Sequence, residues 1–182
     1  MCPAVAAIIS GRQAKLPQLR DETGLVRFRI PSDPRSLVFG SKIASEYVQL
    51  HIGGDIAFLL GLAKALHATG SIDAAYVAAS TTGWEEIKAL IEGVEWGEIV
   101  QASGVPQSTS ARVASLYAKS KRTIFAWPMG ITHHANGVEN VQWIVNLALM
   151  RGMVGKPKAG LLPIRGHSNV QGIGSVGVTP TL

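Results

Sequence analysis

The run from Ile56 to Ala68 most constrains how this chain can fold. It follows the turn formers Gly53 and Gly54, is apolar at nearly every position, and stops just before Gly70. A segment of this length with glycine beyond its end reads as a helix. Asp55 is placed to cap it, accepting hydrogen bonds from the open amides of the first turn. The helix carries apolar side chains on all sides instead of one stripe, so it must be covered on more than one face. That requirement calls for a layered domain.

Further helices are expected on both sides of the chain's middle. One starts at Asp73 and carries Tyr76 and Val77. Another follows Gly83, with Trp84, Ile87, Leu90 and Ile91 at helical spacing. A short one runs near Trp96 to Ala102 and ends at Ser103-Gly104. The next opens at Pro106, turns Val113, Leu116 and Tyr117 inward and ends in basic residues. Thr123–Trp127 is a compact run of β-forming residues ended by Pro128, and it reads as a buried strand. Gly130 to Gly137 is the loop after it, and Val138 to Met150 is an apolar helix. From Gly155 onward glycine and proline favour loop with room for a short strand. Upstream, Pro31, Pro34 and Gly40 make Gly24 to Tyr47 a long irregular surface segment. Tyr47–Ile52 alternates and reads as a short strand or an extended approach to a turn. Met1–Arg20 has no clean period and is expected to be poorly ordered or a short helix. Helices that give way to strand, loop and helix indicate a helix-rich α/β layer with few strands for a complete sheet.

Composition narrows the classes. The 182 residues suit one domain, and 47% hydrophobic against 16% charged residues excludes a disordered chain. The net charge of +5 is spread along the sequence, with no basic run longer than Lys121-Arg122. That pattern favours a solvated basic surface over a nucleic-acid stripe. The single cysteine, Cys2, excludes a disulfide within the chain and any Cys-x-x-Cys metal site. Met1–Ser10 lacks a basic leader region and its apolar run is short, so neither a signal peptide nor a membrane span is expected. A cytoplasmic address is the default.

Two stretches carry chemistry. The first is the strand Thr123–Trp127 with the loop Pro128-Met129-Gly130-Ile131-Thr132-His133-His134 and the helix beyond. Ligands of open α/β sheets bind outside the carboxyl ends of the strands. Gly130 lets a ligand approach the backbone, and a helix start offers free amides to an anion. The same spacing also serves an ordinary strand–helix connection. His133 and His134 are adjacent and point apart on an extended loop, without the further ligands a metal site needs. The second stretch is Gly155-Lys156-Pro157-Lys158-Ala159-Gly160 followed by Pro163-Ile164-Arg165-Gly166-His167-Ser168-Asn169-Val170-Gln171-Gly172. Arg165, His167, Ser168, Asn169 and Gln171 crowd hydrogen-bonding groups onto a glycine-punctuated loop, which suits a large polar cofactor. The guanidinium of Arg165 can fork to a carboxylate or phosphate.

Together these residues resemble a known family. Trp127–His133, Gly137-Val138-Glu139-Asn140, Gly155-Lys156-Pro157 with Gly160, and above all Arg165–Gly172 are similar to the molybdopterin oxidoreductases. Within them they resemble the formate-dehydrogenase-like branch of the dimethyl sulfoxide reductase superfamily. Ile52-Gly53-Gly54-Asp55-Ile56-Ala57 and the stretch from Gly24 to Ala44 also fit. The resemblance covers about Asp21 to the end and leaves Met1–Arg20 unmatched.

The resemblance implies a Rossmann-like three-layer α/β domain with an incomplete sheet. It implies a whole enzyme that holds molybdenum or tungsten between a pair of molybdopterin guanine dinucleotides. Such an enzyme passes electrons through a 4Fe-4S cluster and, in the formate dehydrogenases, oxidises formate to carbon dioxide. Arg165 stands where an arginine beside the metal orients the small anion. Met129, Gly130, His133, His167, Ser168, Asn169 and Gln171 stand where the family contacts the pterin. Pro128 replaces a usual glycine, His133 and His167 replace glutamines, and Met153 stands where asparagine is common. The metal ligand and the cluster cysteines have no counterpart here, so the chain is expected to be an internal fragment without the complete redox reaction. The alternative is a non-catalytic module complementing a separate chain that carries those segments. Residues 21–182 would then be a partial cofactor domain, with apolar patches left uncovered when it stands alone.

Overall fold

The computed structural model describes residues 18–20, 26–28, 35, 41–42, 46 and 48–178. The chain divides into two compact units, one of Met1–Ile72 with Gly83–Lys121 and one of Asp73–Thr82 with Arg122–Leu182.

The first unit is built around helix α1, Asp55–Ala68. Phe58, Leu59, Leu60, Leu62, Ala63, Ala65 and Leu66 are all buried, and they point to different sides of the helix. Three helices pack on it: α3 (Trp84–Gly93), α4 (Trp96–Ser103) and α5 (Gln107–Lys119). This explains how so apolar a helix is tolerated. Lys64 turns its charged end to the backbone, donating from Nζ to the carbonyls of Ile91 and Glu92 at 3.0 and 3.2 Å. It thereby caps the carboxyl end of α3. The N-terminus of α1 differs from expectation. The N-cap is Gly54, and Asp55 is the first helical residue, itself buried. The reason lies in the preceding turn. The Gly54 amide donates to the His51 carbonyl at 3.0 Å with Gly53 at φ 80°, the geometry of a type II turn that favours glycine at its third position. The turn ends on Gly54, and the helix begins one residue earlier than an Asp55 cap requires. A Cβ on Gly54 would lie 2.8 Å from the Ala102 carbonyl oxygen and 2.9 Å from Ser103 Cα. The turn is thus pressed onto the end of α4, and the His51 amide donates to the Ser103 carbonyl at 2.9 Å.

This unit also holds a small antiparallel sheet of β1 (Gln18–Arg20), β2 (Val26–Phe28) and β3 (Ser41–Lys42), in that order. Arg27 pairs with Leu19 on one side and Lys42 on the other. The stretch expected to be irregular between Gly24 and Tyr47 therefore contains two short strands, β2 ending before the prolines could interrupt its ladder. β1 lies at the end of the segment expected to be poorly ordered or helical, while Met1–Pro17 is outside the described residues. Val48–Leu50 joins no sheet, and Ile52 beyond it is 91% exposed.

The second unit is discontinuous in sequence. Helix α2, Ala74–Ser80, begins at Asp73 as the sequence predicts, and the Asp73 carboxylate caps it by accepting from the Tyr76 amide at 3.0 Å. The rest comes from beyond Arg122: strand β4 (Ile124–Trp127), the single turn α6 (Met129–Thr132), helix α7 (Gly137–Met150), strand β5 (Gly160–Pro163) and the short helix α8 (Val170–Ser175). α2 packs on α7, the Asp73 amide donates to the Met150 carbonyl, and the Tyr76 hydroxyl donates to the Val154 carbonyl at 3.0 Å. β4 and β5 are parallel and in register from Ile124↔Gly160 to Trp127↔Pro163, with α7 as the crossover. The fold is thus helix-rich α/β with a two-stranded parallel sheet among the described residues. Contrary to expectation, β4 is not buried throughout. Trp127 is buried, but Ile124 is 57% exposed, as are Leu162 at 50% and Ile164 at 48%. Side chains alternate along a strand, and Ile124, Ala126, Leu162 and Ile164 share the face left without cover. No described helix is long and apolar enough to cross a membrane.

Candidate functional site

The parallel pairing of β4 and β5 brings the two sequence motifs to one edge. In a parallel ladder both strands end on the same side, so Pro128 and Ile164 leave the sheet next to each other. The Ile164 amide still donates to the Trp127 carbonyl at 2.9 Å, extending the ladder one residue into the second loop. The first loop was expected to be irregular and instead opens with the turn α6. Pro128, as its N-cap, ends the strand and has no amide to leave unpaired. The Thr132 hydroxyl donates to the Met129 carbonyl at 2.9 Å, and the His133 amide closes the turn on the carbonyls of Met129 and Gly130.

The expected site residues occupy this edge. Met129 is the first residue of α6 and half-buried; Gly130 follows it, exposed, with nothing within 4 Å of where a Cβ would stand. His133 is the exposed C-cap of α6. Arg165, His167 and Ser168 lie exposed on the loop after β5, and among the described residues their side chains make no hydrogen bond or ion pair. Asn169 takes φ 55°, a left-handed conformation that asparagine tolerates better than most residues, and turns the chain into α8. Gln171 is exposed on α8, where its carbonyl accepts from the Ser175 hydroxyl at 2.9 Å.

The structure shows directly that the two loops touch. A Cβ on Gly166 would lie 2.5 Å from the sulfur of Met129, so the thioether rests against the bare backbone between Arg165 and His167. A side chain at residue 166 would displace the Met129 thioether from this seat. The contact joins Met129 of the first motif to the Arg165 loop of the second. No described group of three or more His, Cys, Asp or Glu side chains gathers to hold a metal. The edge instead offers amide, hydroxyl, imidazole and guanidinium groups on exposed backbone, a donor set suited to a polyanionic polar ligand.

Residue-by-residue reasoning did not single out Asn140. It is 2% exposed and donates from Nδ2 to the Ile131 carbonyl at 3.1 Å. A lone asparagine in a helical pattern signals only an exposed position or a cap, and nothing local marks it as a buried tie.

No family model matches the chain. Whole-sequence comparison is more informative. Protein YdeP of Escherichia coli K12 is 41% identical over 170 residues, covering 87% of this chain and 22% of YdeP. Formate dehydrogenase H of the same organism is 35% identical over 151 residues, covering 83% of this chain and 21% of that protein. Among solved structures, acetylene hydratase from Pelobacter acetylenicus superposes with a TM-score of 0.59 at 19% identity over 64% of this chain and 16% of its own. At that identity the structural likeness concerns the fold. The chain spans about a fifth of the length of the curated relatives it matches. It belongs, as the counterpart of one segment, to the molybdopterin oxidoreductases of the dimethyl sulfoxide reductase superfamily, alongside the formate dehydrogenases.

Proposed function

We propose that the carboxyl edge of β4 and β5 is part of a molybdopterin guanine dinucleotide cradle in a formate-dehydrogenase-like enzyme. The observation that carries this reading is the parallel pair itself. It sets the Met129–His133 turn beside the Arg165–Gln171 loop, and ligands of open α/β sheets bind at such an edge. The residues fit the group. Gly130 and Gly166 keep backbone bare, and the side chains of Arg165, His167 and Ser168 are unspent among the described residues.

In this reading Met129 and His133 bear on the pterin from one loop, and His167, Ser168, Asn169 and Gln171 hydrogen-bond to it from the other. Arg165 holds a small anion such as formate by a forked, charge-assisted contact and stabilises its charge where water is excluded. The bound molybdenum–pterin group supplies the two-electron redox chemistry. The sole cysteine, Cys2, cannot ligate a 4Fe-4S cluster alone. Cluster and metal ligand therefore come from sequence outside these 182 residues, in the same polypeptide or a partner.

Two measurements test the proposal. The chain, purified from a host that makes the cofactor, should yield oxidised fluorescent pterin on denaturation, and the Arg165–Gln171 loop should be needed for it. A formate dehydrogenase H whose matching segment is replaced by this sequence should reduce dye with formate and lose that activity on Arg165→Ala. Absence of pterin together with an inactive chimera refutes the assignment.

A further inference from the structure

We infer that Asn140 is a positioning residue: its buried amide holds the turn after β4 so that Met129 stays seated on Gly166 and fixes the Arg165 loop. This rests on the cofactor-edge reading for its purpose, but on the structure alone for its mechanics.

Asn140 is the fourth residue of α7, nine residues beyond its partner Ile131. Burying an amide costs free energy unless it is paired, and an apolar side chain would fill the same space without that cost. Its Nδ2 donates to the carbonyl of Ile131 at 3.1 Å, in the middle of α6. α6 is a single turn that cannot hold itself by its own hydrogen bonds. Three further contacts support it. Ile131 is buried beneath it, the Thr132 hydroxyl bonds the Met129 carbonyl, and Gly137 presses so closely on Thr132 that a Cβ would overlap its carbonyl. Met129, at the free end of the turn, then meets Gly166. The path from α7 to Arg165 therefore runs from Asn140 to Ile131, through the backbone of α6 to Met129, and on to Gly166, all within one unit. If the amide tie is cut, α6 keeps its buried isoleucine but loses the restraint that sets its angle. Met129 is then free to leave Gly166, and the Arg165 loop loses its neighbour.

The test uses the whole chain with 13C-methyl methionine and amide exchange read by NMR. Asn140→Leu removes the donor. Asn140→Asp removes it while the introduced carboxyl is ionised and returns an O–H donor once that carboxyl is protonated. Wild type should show a cross-peak between the Met129 methyl and the Gly166 α-protons. Both variants should lose it at neutral pH, with the His133 and Gly137 amides exchanging about tenfold faster, the loss of roughly one buried hydrogen bond. The remaining α7 amides should exchange as in wild type. Acidification should restore the cross-peak in Asn140→Asp relative to wild type at the same pH, and not in Asn140→Leu. Gly166→Ala should break the same cross-peak with Asn140 intact. A cross-peak that survives in both Asn140 variants overturns the inference. So does loss of protection spread evenly over α7 and the sheet, or Asn140→Asp that acid does not rescue, because Asn140 would then be a packing residue. Failure to bind pterin with an intact Asn140-dependent cross-peak would sink the cofactor reading and leave this one standing.

Discussion

Gly54→Ala should destabilise the first unit for a purely steric reason. Its backbone, φ −83° and ψ 6°, is open to alanine, so no conformational penalty is expected. The obstacle is backbone on the other side: the new methyl would stand 2.8 Å from the Ala102 oxygen and 2.9 Å from Ser103 Cα. Neither atom can rotate away, so the turn and the end of α4 must separate by roughly half an ångström or more to reach ordinary contact. Forcing such an insertion costs about 1–3 kcal/mol. Stretching the 2.9 Å His51–Ser103 bond adds about 1 kcal/mol. Reduced freedom of the unfolded chain returns about 0.4–1 kcal/mol. The net expectation is a loss of about 2–3 kcal/mol. Gly53→Ala is the matched control: φ is 80°, but nothing stands within 4 Å of the new methyl, so only the left-handed penalty of about 1 kcal/mol applies. Urea unfolding followed by far-ultraviolet circular dichroism should therefore rank wild type above Gly53→Ala above Gly54→Ala. With a slope of about 2 kcal/mol per molar, the second variant should melt about 1 M or more earlier than wild type. If Gly54→Ala unfolds with or after Gly53→Ala, the close approach of turn and helix is not what holds this end of α1.

Other expectations are shorter to state. Asp73→Ala removes the cap that accepts from the Tyr76 amide and should cost about 1 kcal/mol, read as faster exchange in α2 with α7 unchanged. Leu66→Ala empties a fully buried position in α1 and should cost about 2–5 kcal/mol in the same urea experiment. In the formate dehydrogenase H chimera, Arg165→Lys should fall well short of wild type, about tenfold or more, because an ammonium cannot fork to a carboxylate. Equal activity of the lysine variant would remove the case for bidentate anion binding.

Legibility from sequence followed the range of the forces involved. The helices of the first unit were readable because their signals are local: apolar spacing, and glycine or proline at the ends. The start of α2 at Asp73 was readable for the same reason. Asp55 was misplaced because a type II turn on Gly53 consumes the residue before it, and a turn type is set by tertiary contact with α4 as much as by composition. β4 looked buried because Thr-Ile-Phe-Ala-Trp has no polar side to reveal which face lacks cover. The α6 turn escaped notice because Gly130, Ile131 and Thr132 are poor helix formers, and its restraints come from Asn140 and Gly137 in the next helix. At the site, the motif residues were named in advance by resemblance. That the two motifs meet through Met129 and Gly166 depends on strand pairing, which no local pattern encodes.

The split origin of the second unit has a consequence in time. The Tyr76 hydroxyl finds its acceptor at Val154, 78 residues later. At about 5–20 residues per second on the ribosome, that partner emerges roughly 4–16 s after Tyr76 itself. A seven-residue helix such as α2 is too short to persist alone over that interval. α3, α4 and α5 are all made during the wait, and they pack on α1. The nascent chain is therefore expected to finish its first helical cluster while Asp73–Thr82 is still an uncommitted tether. The edge that carries Arg165 is assembled after that cluster.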